Sequence, residues 1–158
     1  MTIRDRRRVV GESLDGLIQE RTYRSAALGE ERRFSVVLPP GYFDDANQGE
    51  RYPVLYLLHG QGQTSTSFLA TALFFIGYMS DSEDDATRRR DESDWVKFLL
   101  VLPDSTCSNA ACTSGNFNAN HLGLDGNGPR YQDAFYELMA HIESNYRTAT
   151  PEVVEVFP

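Results

Sequence analysis

The chain reads as an α/β protein, a three-layer sandwich around a mostly parallel sheet, and two observations carry that reading. Two nearly continuous apolar runs, YPVLYLLHG at 52–60 and FLLVLPD at 98–104, have the pattern of strands covered on both faces rather than half exposed. Each is followed by a segment of helical character. TSFLATALFFIGYM occupies 66–79, and YQDAFYELMAHIESNYR at 131–147 sets Phe135, Leu138, Met139 and Ile142 on one face. Strand, helix, strand, helix in that order predicts helices packed on a central sheet.

The amino-terminal part adds a hairpin. RRFSVVL at 32–38 alternates, turns apolar, and runs into Pro39-Pro40-Gly41, which reads as a strand stopped by a turn. An earlier strand is expected within Leu17 to Leu28, paired with it across Gly29-Glu30-Glu31. Neither an internal repeat nor a low-complexity linker interrupts the chain.

Length and composition set the scale. The chain has 158 residues, 41% hydrophobic and 11% aromatic, enough for one core and too few for two, so residues 1–158 are expected to form a single domain. Residues 1–15 are expected to be disordered. A formal charge of -8 argues against nucleic acid or an anionic membrane as partner, since both demand clustered cations. No apolar run approaches the roughly 20 residues that span a bilayer. The start, MTIRDRRRVVGESLDG, has a cationic flank but no apolar stretch of about 7 to 15 residues behind it. Its default location is therefore cytoplasmic.

Cys107 and Cys112, in the polar stretch DSTCSNAACTSG, are the two cysteines. Without a neighbouring His or further Cys they leave a zinc site half built, so no metal and no cofactor is expected. A short disulfide and two free thiols both remain open. The disulfide is favoured, and it would imply a periplasmic or secreted setting, against the missing leader. DSEDDATRRRDESD at 81–94 mixes both signs of charge without apolar spacing. It reads first as a solvated insertion and second as a substrate-recognition loop.

The end of the first apolar run carries the chemistry. In a wound α/β sheet ligands gather beyond the carboxyl ends of the strands, and a glycine-rich turn there lets backbone N–H groups approach a substrate closely. His59-Gly60-Gln61-Gly62 is such a turn. Backbone donors converging on one point stabilise an oxyanion, each worth about 3 kcal/mol of transition-state binding. On the residues alone, a turn that merely reverses the chain stands equal to this reading.

RRFSVVLPPGY, YPVLYLLHGQGQ, LLVLPDS and FYELMAHIESNYRT, in this order and at these intervals, resemble the amino-terminal half of the esterase D and feruloyl-esterase-like branch of the α/β-hydrolase fold. The resemblance covers residues 17 to 148 and is most specific in YLLHGQG and LMAHIESNYRT. It implies a partial α/β-hydrolase, front half only and incomplete at the carboxyl end. It also implies that the backbone amide of Gln61 serves the oxyanion hole, while His59, Gly60, Gly62 and Asp104 line the substrate mouth. In such proteins a Gly-x-Ser-x-Gly nucleophile elbow follows the helix that ends in Tyr-Arg-Thr, with the acid and base later still.

No such elbow occurs in residues 1–158. Ser13 has Gly11 before it but Asp15 after it, and Ser114 is followed directly by Gly115. Among the histidines, His59 belongs to the turn, His141 falls at the solvent boundary of the long helix, and His121 lies in a loop. A Ser105–His121–Asp125 constellation is a minor alternative, because loop residues near in sequence fix no nucleophile–base geometry. Asp125-Gly126-Asn127-Gly128 begins like a calcium loop, but Pro129 and Tyr136 occupy positions that need oxygen ligands, so it reads as a turn.

Two function classes follow. One is a carboxylic-ester hydrolase represented by its oxyanion-loop half, either a fragment of a longer product or one piece completed by a second polypeptide, acting on a small-molecule ester once complete; a second polypeptide or a homo-oligomer is the expected macromolecular partner. The other is a non-catalytic binding or interaction protein derived from an esterase. In the family's sheet order YPVLYLL would lie at an edge without a fifth strand, and Val153 to Phe157 are expected to pair parallel with residues 54–58. Thiol counting under denaturing, non-reducing conditions tests the cysteine reading: zero titratable thiols is expected, and two would end it.

Overall fold

The computed structural model describes residues 16–60, 63–80, 97–106, 120 and 125–149. The charged segment 81–94, both cysteines, residues 1–15 and the expected strand at 153–157 lie outside the described residues.

The hairpin forms as expected. Strand β1 (Ile18–Ser25) pairs antiparallel with β2 (Glu30–Val37) in a register running from Ile18↔Val37 to Ser25↔Glu30. Gly29 takes φ +70° in the turn, a left-handed conformation that side-chain-bearing residues rarely adopt. Beyond β2, Pro39-Pro40-Gly41 turns the chain, with Gly41 at φ +78° and Asn47 Nδ2 only 2.8 Å from where a Cβ would sit.

Strand β3 (Val54–Tyr56) and strand β4 (Leu99–Pro103) complete a four-stranded sheet of order β1-β2-β4-β3. β4 runs antiparallel to β2 and parallel to β3. Parallel order therefore begins at β4 and β3, and the hairpin makes the described sheet mixed. All of β4 is buried, with Leu99, Leu100 and Val101 at 0% exposure, which accounts for its unbroken apolar sequence.

Helix α1 (Leu69–Ser80) follows a 3-10 turn at Ser65–Phe68 that packs on β2 and β4. It buries Ala72, Ile76 and Met79 and sets Phe75 edge-on to Phe98 at 5.5 Å. Helix α2 (Tyr131–Asn145) covers the opposite face and buries Tyr131, Ala134, Leu138 and Ile142. It is pinned by polar bonds as well as apolar area. The Tyr23 hydroxyl donates to Ala134 O at 2.8 Å, and Glu137 accepts from the Ser25 hydroxyl at 2.7 Å and from Ala27 N at 3.0 Å. His141, expected at the solvent boundary, lies half-buried against the rings of Tyr23 and Phe34.

β3 departs from expectation in two respects. It is only three residues long, and Leu55 is 42% exposed, so it is not covered on both faces by the described residues. The reason is its place at the edge of the described sheet, while the 3-10 turn leading into α1 sits over β2 and β4.

The chain leaving α2 returns to this edge. Arg147 stacks its guanidinium 4.1 Å over the Tyr42 ring and donates to the carbonyls of Tyr42 and Asn47. That clamp lays Thr148 beside Tyr52 in a parallel bridge, with Tyr52 N donating to Arg147 O at 2.9 Å and Ala149 N to Tyr52 O at 2.8 Å. Among the described residues, no helix is long and apolar enough to cross a membrane.

Burial pushes the Tyr23 and Tyr56 hydroxyls from 10.0 up to about 12. The folded values exceed the unfolded one, so the contribution of the neutral hydroxyls is complete below pH 10 and is lost as pH rises through 12. Urea-unfolding stability should fall across that window, and Tyr23→Phe should remove part of the fall.

Candidate active site

The carboxyl ends of β3 and β4 lie side by side because the two strands are parallel neighbours, with Leu57 N donating to Val101 O at 2.9 Å just past the ladder. Their following turns therefore meet. The first carries Leu58, His59 and Gly60; the second carries Asp104, Ser105 and Thr106.

His59 joins them. It is 3% exposed, and its Nε2 accepts from Ser105 N at 2.9 Å while Nδ1 lies 2.9 Å from Gly60 O. An N–H aimed at Nε2 requires a lone pair there, so the ring proton belongs on Nδ1, which donates to the Gly60 carbonyl. This is the neutral tautomer, holding one turn with each nitrogen. Asp104 Oδ1 stands 3.8 Å from Nε2, beyond hydrogen-bond length, and accepts instead from Thr106 N at 3.0 Å.

The second turn is held from the other side by Arg32 on β2. Its guanidinium donates to Asp104 O at 2.6 Å and Thr106 O at 2.9 Å, pairs with Glu30 at 2.9 Å, and faces the Tyr131 ring at 5.5 Å. Asp104 N donates to Arg33 O at 2.9 Å. With its backbone bonded at 104, 105 and 106, the turn fixes the Asp104 carboxylate at the mouth, its side chain 19% exposed.

The first turn is closed by Gln63, whose side chain accepts from Gly60 N at 2.9 Å while its own N donates to Gly60 O at 3.2 Å. The Gly60 amide is thus already engaged. A Cβ at Gly60 would lie 3.2 Å from Gln63 Oε1, closer than most contacts tolerate, so glycine suits the closure.

Of the residues singled out in the sequence, His59, Gly60 and Asp104 come together at this mouth, whereas Gln61 and Gly62 lie outside the described residues. Ser105 is present, but the geometry gives its amide to His59. His121 lies outside the described residues, and Asp125 sits in an exposed turn where hydrogen bonds from Asn127 hold its carboxyl below the usual range. Sequence reasoning missed Arg32, Gln63 and the amide of Ser105. Arg32 left one signal, a cation on the strand face that also carries Phe34 and Val36.

His59→Ala would leave the half-buried Ser105 N–H without its acceptor, a loss of about 1 kcal/mol. A lowered urea midpoint and faster amide exchange at Ser105 are the expected results.

Solved structures that share this fold include two ferulic acid esterases and an S-formylglutathione hydrolase. A ferulic acid esterase aligns at 24% identity and TM-score 0.56, over 83% of this chain and 44% of that one. A ferulic acid esterase from Anaeromyces mucronatus, in complex with ferulic acid, aligns at 24% and 0.53 over 84% and 44%. An S-formylglutathione hydrolase from Agrobacterium tumefaciens aligns at 18% and 0.55 over 84% and 45%. The chain spans less than half the length of these proteins. A family model described as "Putative esterase" matches residues 25–154. Strand β2, buried β4, the strand-end turns and the returning segment all fall within that match, which begins at the last residue of β1, and the chain belongs to the Esterase family.

Proposed function

We propose that this chain supplies the oxyanion-stabilising side of a carboxylic-ester hydrolase. The observation that carries the reading is the braced pair of turns beyond β3 and β4, where His59, bonded to Gly60 and Ser105, fixes the start of the His59-Gly60-Gln61-Gly62 loop. Family membership supports it.

In this reading the Gln61 amide donates to the oxygen of the scissile carbonyl as it takes up negative charge. Gly60 and Gly62 keep the backbone free of side chains at the point of approach, and Asp104 lines the mouth. His59 acts through the loop it holds. A nucleophile attacking the carbonyl carbon forms the tetrahedral intermediate, the oxyanion is held by the amide, and collapse expels the alcohol.

Residues 1–158 contain no Gly-x-Ser-x-Gly elbow, so the attacking group comes from outside this sequence, on the rest of a longer product or on a second polypeptide. Small-molecule esters are the substrates. The similar structures, a ferulic acid esterase and an S-formylglutathione hydrolase, support an acyl-transfer reaction without selecting the acyl group.

The 158-residue chain alone is expected to show no turnover of a short-chain aryl ester and no labelling by a fluorophosphonate probe. Stoichiometric labelling at one serine, abolished by its replacement with alanine, would overturn the assignment.

A further inference from the structure

Asp125, Gly126 and Asn127 form an exposed turn that leads through Gly128 into α2. Asn127-Gly128 is the one asparagine followed by glycine in the 158 residues. The side-chain amide carbon of an asparagine is an electrophile, and the backbone nitrogen of the next residue is the nucleophile placed to close a succinimide ring on it. A side chain on that next residue crowds the approach, and glycine has none.

The structure leaves this pair free to react. Gly128 N makes no hydrogen bond among the described residues, so the proton it must give up is held by no acceptor there. Asn127 is exposed, so water reaches the ring and ammonia escapes. The neighbouring Asp125 also precedes a glycine, but hydrogen bonds from Asn127 hold its carboxyl below the usual range, and a carboxylate is a poor electrophile. The other described asparagines are engaged in the framework: Asn47 Nδ2 donates to Gly41 O at 3.0 Å, Asn145 Nδ2 to His141 O at 2.7 Å, and Asn120 Oδ1 accepts from Gln132 N at 3.0 Å.

We propose that Asn127 is a site of spontaneous deamidation, set by the free Gly128 amide in an exposed turn. Gly128 N bonds to Asn127 Cγ, the bond from Cγ to the side-chain nitrogen breaks, and that nitrogen leaves as ammonia with the proton released by Gly128. Water then opens the succinimide at either carbonyl, its hydroxyl going to the carbon and its proton to the ring nitrogen. The products are aspartate and isoaspartate.

The product changes the turn. A carboxylate at 127 has no side-chain proton to donate and stands beside Asp125, so attraction becomes repulsion. Isoaspartate also adds a methylene to the main chain between Asn120 and Arg130, which are joined by an antiparallel bridge. Asn120 caps α2, its Oδ1 accepting from the Gln132 and Asp133 amides, and Tyr131 at the start of α2 faces Arg32. Deamidation therefore loosens the start of α2 beside the arginine that holds the turn after β4. Neither step rests on the esterase reading.

The test is ageing of the full folded chain in mildly alkaline buffer, followed by intact mass, ammonia release and peptide mapping. A mass gain matching exchange of an amino group for a hydroxyl is expected, with equimolar ammonia, mapped to Asn127 as aspartyl and isoaspartyl forms before any other asparagine changes. Asn127→Ser should abolish this first gain, and Gly128→Ala should slow it about tenfold. Amide exchange at Gln132 and Asp133 should be faster in the aged chain. An unchanged residue 127 in the folded chain while the urea-unfolded chain converts, earlier conversion of another asparagine, an unaltered rate in Gly128→Ala, or unaltered exchange at Gln132 and Asp133 after conversion would overturn the proposal.

Discussion

Strand β4 is bonded along both edges and buried on both faces, and every other described element takes its position from it. Its backbone groups have no water to turn to, so they must be satisfied by β2 on one side and β3 on the other. Burying each large aliphatic side chain contributes about 1.5–3 kcal/mol, and Leu99 to Leu102 bring four in a row. Because β3 runs parallel to β4, the two strands end at the same level, and the turns that follow are forced into one place. The site is a by-product of that direction.

What strand pairing cannot fix, arginine does. Arg32 reaches from β2 to carbonyls of the turn after β4, and Arg147 reaches from the end of α2 to carbonyls of the 42–47 loop. Both stack against tyrosine rings. The rigid fork of a guanidinium suits this work, since it can bond two carbonyls while its face lies on an aromatic surface. Irregular backbone is held by cations here as firmly as regular backbone is held by its ladder.

The fold was legible in the sequence wherever one physical demand acted alone. The unbroken apolarity of residues 98–103 matched burial on both faces, and 32–38, alternating first and then apolar, gave a strand exposed on one face only at its start and buried on both at its end. YPVLYLL was expected at an edge and stands at the edge of the described sheet, but an apolar run does not say how much of each face will be covered, and Leu55 is 42% exposed among the described residues. The same ambiguity hid the support of the site. His59 was read as part of a substrate turn, but its use depends on an amide 46 residues away. Arg32 bonds to carbonyls, and a carbonyl is present at every position, so no sequence pattern marks the partner. Tyr146-Arg147-Thr148 was legible as a signature and opaque as a mechanism until Tyr42 and Tyr52 were seen beside it.

The clamp of Arg147 on Tyr42 has a consequence for how the chain acquires its structure. The two residues are 105 apart in sequence, and synthesis at about 5–20 residues per second separates their emergence by on the order of 5–20 s. Within that interval the hairpin forms and β4 emerges to pair with it, but the loop holding Tyr42 and Tyr52 has no Arg147 to stack against it and no returning segment beside it. Local elements complete in microseconds, so the contacts made by α2 and Arg147, across 105 to 112 residues, are the last to form. The nascent chain therefore spends several seconds with an aromatic, strand-forming surface open to chaperones or to neighbouring chains, and translation speed through residues 106–147 becomes a determinant of yield.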